Sequence, residues 1–177
     1  MRKKIVVIGG VAGGATTAAR LRRLDETSTI VMFEKGEHIS FANCGLPYYI
    51  GETITQREKL LVQTVEGMSK KFNLDIRNLS EVIKINREEK TVTVKNLKTD
   101  ETYDESYDVL VLSPGAKPIV PPIPGLNEAK NIFTLRNIPD TDKIKRFVDH
   151  NKPEEAVVIG GGFIGLEMAE NLVDRGV

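Results

Sequence analysis

The sequence has a single cysteine, Cys44, so it cannot build an internal disulfide framework. A lone cysteine is by default a small buried hydrophobe, and only its surroundings can make it more than that. Histidine is nearly as scarce. His38 falls in a loop and His150 at a solvated helix end, so neither is assigned a catalytic role. There is no excess of charge: 25 acidic and 25 basic residues cancel. That argues against nucleic acid or a membrane surface as a partner held by bulk charge. No apolar run approaches the length of a membrane span. The basic opening Met1-Arg2-Lys3-Lys4 is followed by only four apolar residues before glycines begin, too few for a signal-peptide core. A cytoplasmic protein without a metal site is expected.

What is present suits a globular α/β chain. Apolar residues make up 40% of the 177, enough for one domain or one plus a fragment. Ile5–Ile8 reads as a buried parallel-type strand, Ala15–Leu24 as a helix rich in Ala, Leu and Arg, and Thr29–Phe33 as a second strand. Together they form a β-α-β unit. A short helix near Pro47 and a helix over Val65–Phe72 are predicted next. Strands follow at Leu74–Ile76, Ser80–Asn86 and Thr91–Lys95, the last half-exposed. Tyr107–Leu112 reads as another buried strand, closed by Ser113-Pro114-Gly115. Four prolines in seven residues, Pro118–Pro124, mark a stiff linker and the expected domain boundary. Beyond a helix over Pro139–His150, the opening pattern returns: a strand at Ala156–Ile159, a glycine turn, and a helix over Leu166–Arg175. One strand and one helix cannot form a parallel sheet, so a truncated second domain is expected.

The two glycine turns carry the first chemical signal. A dinucleotide site needs a strand, a tight glycine turn, and a helix whose N-terminal N–H groups face the pyrophosphate. Gly160, Gly162 and Gly165 fit G-x-G-x-x-G. The first turn, Gly9-Gly10-Val11-Ala12-Gly13-Gly14, has Val11 where the middle glycine belongs. Glu34 lies 25 residues after Gly9, where a carboxylate would bind ribose hydroxyls. Two such turns suggest two dinucleotides, and hence electron transfer between them.

The second signal is Cys44 within Ser40-Phe41-Ala42-Asn43-Cys44-Gly45-Leu46-Pro47-Tyr48-Tyr49-Ile50-Gly51. It follows the second strand, on the side of an open α/β sheet where ligands bind. Pro47 suggests a helix beginning just after it, and helix N-termini make thiols better nucleophiles. On this segment, the glycine turns and Leu112–Pro118 (LSPGAKP), the chain resembles the pyridine nucleotide–disulfide oxidoreductases. It looks most like their coenzyme A disulfide and persulfide reductases. Dithiol members carry C-x-x-x-x-C, whereas here Tyr49 takes the second position, so reducing equivalents must rest on one sulfur. NADH oxidases and peroxidases, which form a cysteine sulfenic acid, are the alternative.

The resemblance implies a Rossmann-like FAD-binding domain over residues 1–117 with a small β-meander. The linker at 118–124 and the beginning of a Rossmann-like NAD(P)-binding domain over 125–177 would follow. It assigns FAD to Gly9, Gly10, Val11, Ala12, Gly13, Gly14, Glu34, Lys35, Ser113, Pro114 and Gly115. NAD(P)H falls to Gly160, Gly162, Phe163, Ile164 and Gly165. Coenzyme A falls to Thr16, Arg20, Arg23, Ser40, Asn43 and Lys71, with Gln63 as a weaker candidate. Thr16, Arg20 and Arg23 share one helix face, and arginine offers phosphate a fixed fork of donors. The implied reaction passes electrons from NAD(P)H through flavin to a mixed disulfide of Cys44 with coenzyme A, in a homodimer. The 177 residues alone are expected to bind flavin weakly and not to turn over.

Overall fold

The computed structural model describes residues 2–126 and 128–177. In chain order the regular elements are β1 Lys4–Ile8, α1 Gly13–Leu24, β2 Thr29–Phe33, α2 Leu46–Ile50 and α3 Val65–Phe72. They continue with β3 Asp75–Arg77, β4 Ser80–Asn86, β5 Thr91–Asn96, β6 Thr102–Ser106, β7 Val109–Leu112, α4 Ile138–Asn151 and α5 Phe163–Asp174. These fall into two compact units. Met1–Phe41 and Leu61–Gly115 form the first, and Ala42–Leu60 and Ala116–Val177 the second.

The first unit is built on a parallel sheet ordered β3-β2-β1-β7. Alternation along β1 and β2 sends side chains to two cores. Ile5, Val7, Ile30 and Met32 pack with Ala15, Ala18 and Ala19 of α1, with Met68 of α3 and with Leu74. Val6, Val31 and Phe33 face the other way, onto Val92 and Val94 of β5. The small alanines of α1 let the helix lie close on the strands. The antiparallel meander β4-β5-β6 covers the opposite face.

Two expectations need correction here, and one strand lies outside those expected. That strand is β6, Thr-Tyr-Asp-Glu-Ser, in which only Tyr103 is large and apolar. It is an edge strand whose ladder bonds to β5 outweigh a polar composition. β7 is shorter than the run Tyr107–Leu112, and it is not buried: Val109 and Leu112 are exposed. It lies at the sheet edge and pairs only with β1 among the described residues. Finally, Ala156–Ile159 forms no strand, and Val157 is 89% exposed. An apolar run of this kind becomes a strand through ladder bonds to neighbours, and none among the described residues pairs with it.

The second unit is helical. Asn43–Gly45 makes one 3₁₀ turn leading into α2, and Arg57–Leu60 makes another. Asn137 caps α4 by accepting from the N–H of Asp140 at 2.9 Å, and Lys152 ends the helix in the left-handed region. Ile50, Ile144, Val148 and Met168 form the core among α2, α4 and α5. Residues 118–123 are in neither helix nor strand.

Candidate functional site

The first glycine turn is held by the strands on either side. Gly9 donates to the carbonyl of Phe33 at 2.8 Å and adopts φ +95°, which excludes a side chain without strain. A Cβ there would also overlap the carbonyl of Ser113. Gly14 sits so close to the carbonyl of Gly9 that a Cβ would collide with it, which brings α1 down onto the turn. α1 begins at Gly13, two residues earlier than expected. Its cap position, Ala12, supplies no side-chain hydrogen bond, and its first turn holds no acid. The helix end is therefore left to accept an anion.

Glu34 reaches this turn. Its Oε2 accepts from the N–H of Gly10 at 2.8 Å and its Oε1 from the N–H of Gly36 at 2.7 Å. A Cβ on Gly10 would lie 3.0 Å from the Cβ of Glu34 and 2.9 Å from Ile39, so glycine is what admits the carboxylate. Ser113 donates its N–H to Ile8 at 2.8 Å and lies alongside Gly9 and Gly13. Gly115 takes φ +71°, and Pro114 is exposed beside it. A helix end without a side-chain cap, with a fixed carboxylate beside it, could hold a phosphate and a ribose of one dinucleotide. Lys35 is exposed and faces Glu81 at 3.8 Å.

The second turn repeats this backbone in the other unit. Gly160 has φ +117°, and a Cβ on Gly165 would collide with the carbonyl of Gly160, as Gly14 would with Gly9. Gly162 caps α5 without a side-chain hydrogen bond, and no acid follows in the first turn. A Cβ on Gly160, Gly161 or Gly162 would meet nothing within 4 Å. α5 begins at Phe163 rather than Leu166, so Phe163 and Ile164 are exposed residues of its first turn.

Thr16, Arg20 and Arg23 lie on the exposed side of α1, and neither arginine makes a hydrogen bond or ion pair among the described residues. Their neighbour Arg22 differs. It donates to the carbonyls of Phe72, Asn73 and Asp25, tying the end of α1 to the end of α3. Lys71 is exposed in the last turn of α3, its ammonium 5.4 Å from the ring of Phe72. Ser40 takes φ +44°, an uncommon conformation for serine. Its N–H donates to Gly10 at 2.9 Å, and its carbonyl accepts from Val62 and Gln63. Ser40 thus connects the first glycine turn to the segment bearing Gln63.

Cys44 is exposed, in the 3₁₀ turn ahead of α2. Gly45 behind it is buried against Leu60 and Ile54. The side-chain oxygen of Asn43 is buried without a hydrogen-bond partner among the described residues, a group suited to a donor from a ligand. The segment Ala42–Leu60 is fastened to α4 and to the end of α5. Arg57 forks onto both oxygens of Asp142 at 2.8–3.1 Å. Lys145 pairs with Glu52 at 2.9 Å and lies over the ring of Tyr49. Arg175 donates to the carbonyl of Ile50 at 2.8 Å and to Asp149 at 2.6 Å.

The hydrogen bond from Lys145 holds the Glu52 carboxyl below its ordinary range. Burial pushes Asp149 up, but Arg175 and Lys145 together hold it below the usual value. Sequence reading missed this frame. Its bonds to the segment Ala42–Leu60 join residues 85 to 125 apart, and nothing local marks them.

Residues 3–177 match the family described as pyridine nucleotide-disulphide oxidoreductase. A coenzyme A disulfide reductase of Staphylococcus haemolyticus (strain JCSC1435) is 46% identical over 179 residues, covering 99% of this chain and 39% of that protein. The crystal structure of reduced Bacillus anthracis CoADR-RHD matches with a TM-score of 0.98 at 71% identity, over 100% of this chain and 32% of that one. The NAD-dependent persulfide reductase from A. fulgidus matches at 0.92 and 37%, over 98% of this chain and 32% of that one. The chain thus spans about two fifths of the length of the curated relatives it matches. The fold is α/β and Rossmann-like, with a parallel sheet and an antiparallel one.

Proposed function

The chain belongs to the pyridine nucleotide-disulphide oxidoreductase family, and on that premise we propose that it is part of an FAD-dependent NAD(P)H oxidoreductase that reduces coenzyme A disulfide or persulfide at Cys44. The observation that carries this reading is the thiol itself. Cys44 is the only sulfhydryl of the chain, it is exposed, and Tyr49 stands where a dithiol enzyme would place its second cysteine. A reductase built this way stores its oxidised state as a mixed disulfide with the substrate's own thiol.

In this reading residues 1–117 bind FAD and 125–177 begin the domain for NAD(P)H, joined by the linker at 118–124. Gly9–Gly14 would hold the phosphates of FAD and Glu34 a ribose hydroxyl, with Lys35 and Ser113–Gly115 alongside. The Gly160–Gly165 turn takes NAD(P)H. Bound flavin supplies two-electron transfer from the nicotinamide to the disulfide. The chain's residues do the rest. Arg20, Arg23 and Lys71 offer cations to the phosphates of coenzyme A, and Thr16 and Ser40 offer hydroxyl groups. The amide of Asn43 accepts from the ligand. Cys44 attacks one sulfur of coenzyme A disulfide as the thiolate. One coenzyme A leaves as thiol, and the other remains joined to Cys44. Reduction by one NAD(P)H then frees the second thiol and restores Cys44. The full-length protein works as a cytoplasmic homodimer.

Intact mass under non-reducing conditions tests the reading directly. Incubation with coenzyme A disulfide is expected to add one coenzyme A to the chain, reversed by a reductant and absent in Cys44→Ser. A bare thiol, or one that only gains oxygen on exposure to peroxide, would overturn it.

A further inference from the structure

We propose that Asn171 of α5 and Arg175, which caps the end of α5, are positioning residues for Cys44, setting the orientation of α2 from its C-terminal end. The inference rests on the reading of Cys44 as the working thiol.

α2 has only five residues, and a helix that short does not hold its shape in water by itself. The turn carrying Cys44 runs straight into it, so the direction in which the thiol points depends on what grips α2 from outside. The grip is at the far end. Ile50 is fully buried, packed with Met168 of α5. Arg175 donates to the carbonyl of Ile50, one of the orphan acceptors at the end of the helix, and brings a cation to its negative pole. Asp149 holds the other arm of the same guanidinium.

Asn171 is 2% exposed and occupies the space beside Gly51. The Cβ and Cγ of Asn171 would lie 2.7 Å from any Cβ on Gly51, so only glycine fits against it. Asn171 donates to the carbonyl of Glu167 at 2.8 Å, which fixes the side chain on its own helix. Its oxygen is buried without a hydrogen-bond partner among the described residues. A leucine would fill that space more cheaply, so the amide is not explained by packing alone. α5 also begins at the Gly160–Gly165 turn. One rigid helix therefore joins the second glycine turn to the helix of the thiol.

The test compares two reactions of Cys44 in Arg175→Met, Arg175→Lys, Asn171→Leu and the native chain. Iodoacetamide alkylates a thiol from almost any direction, whereas coenzyme A disulfide needs the sulfur aimed along its S–S axis. The ratio of the two rate constants reports aim, and a substitution that only lowers stability leaves it unchanged. Arg175→Met and Asn171→Leu are expected to lower the ratio about fivefold, the scale of a small misplacement of a reacting atom. Arg175→Lys, which keeps a donor for Ile50, is expected to recover most of it. An unchanged ratio in the folded variants, or a lysine variant as impaired as methionine, would overturn the inference. If Arg175→Met does not fold, Asn171→Leu decides alone. A native chain with no preference for coenzyme A disulfide over cystamine would sink the proposed function, and this inference with it. A native preference that survives both variants sinks only the inference.

Discussion

Glu34 shows how much one side chain can decide. Both of its oxygens are taken by backbone N–H groups, at Gly10 and Gly36, so the carboxylate is fixed before any ligand arrives. Preorganisation of this kind lowers the ordering cost of binding. Glu34→Gln keeps the shape but removes the charge and one acceptor. FAD affinity is expected to fall about tenfold, in line with the loss of a charge-assisted hydrogen bond. Fluorescence titration of FAD into the apo chain measures this, and an unchanged affinity would detach Glu34 from the dinucleotide. Spacing alone drew attention to Glu34. The rest of the first site was legible in the glycines, because a positive φ at Gly9 and the close approach at Gly14 admit little else.

At the scale of elements, the helices and strands divide by how local their causes are. β2, α3 and β4 match the sequence reading at both ends, since each carries its own periodicity and boundary residues. α1 and α5 start earlier than expected because the last residues of each glycine turn, from Gly13 and from Phe163, already belong to the helix. The frame around α2 was not legible at all. Arg57 and Asp142 are 85 residues apart, and both are partly exposed. Arg57→Met is expected to cost about 1 kcal/mol, the upper range for exposed pairs, raised by the bidentate geometry. Urea unfolding followed by circular dichroism reads it. A change below a few tenths of a kcal/mol would show that Ile50 and its neighbours hold the segment unaided.

At the scale of the whole molecule, charge is balanced overall but locally paired. Burial raises the pKa of Glu105, yet Lys4 and Arg77 more than offset it, so the group lies below its ordinary value. Asp25 is lowered by hydrogen bonds from Ser28 and Thr27. With Glu52 and Asp149, four carboxyls therefore have folded pKa values beneath their unfolded ones. Such groups contribute stability that is fully present above the unfolded values, near 3.8 for aspartate and 4.5 for glutamate, and is lost as pH falls through the folded ones. The melting temperature is expected to be flat with respect to these groups near neutral pH and to fall steeply below about pH 4.5. Glu105→Gln is expected to melt lower at pH 7 and to show a shallower acid limb. A parallel acid limb in this variant would remove Glu105 from the account.

The sequence by itself determined the two glycine turns, the carboxylate that follows the first, and the solitary thiol with its flanking residues. Each is a local requirement: a backbone angle, a close approach, or a reactive atom that no other residue supplies. Only the tertiary structure decided which arginines are committed. Arg22 binds the carbonyls at the end of α3, while Arg20 and Arg23 stay on the open side of α1. Among the described residues Ala156–Ile159 has no ladder partner, and an apolar run forms a strand only beside one. The tertiary structure also decided that the thiol helix is steadied by residues from α4 and α5, since a five-residue helix takes its geometry from what packs on it.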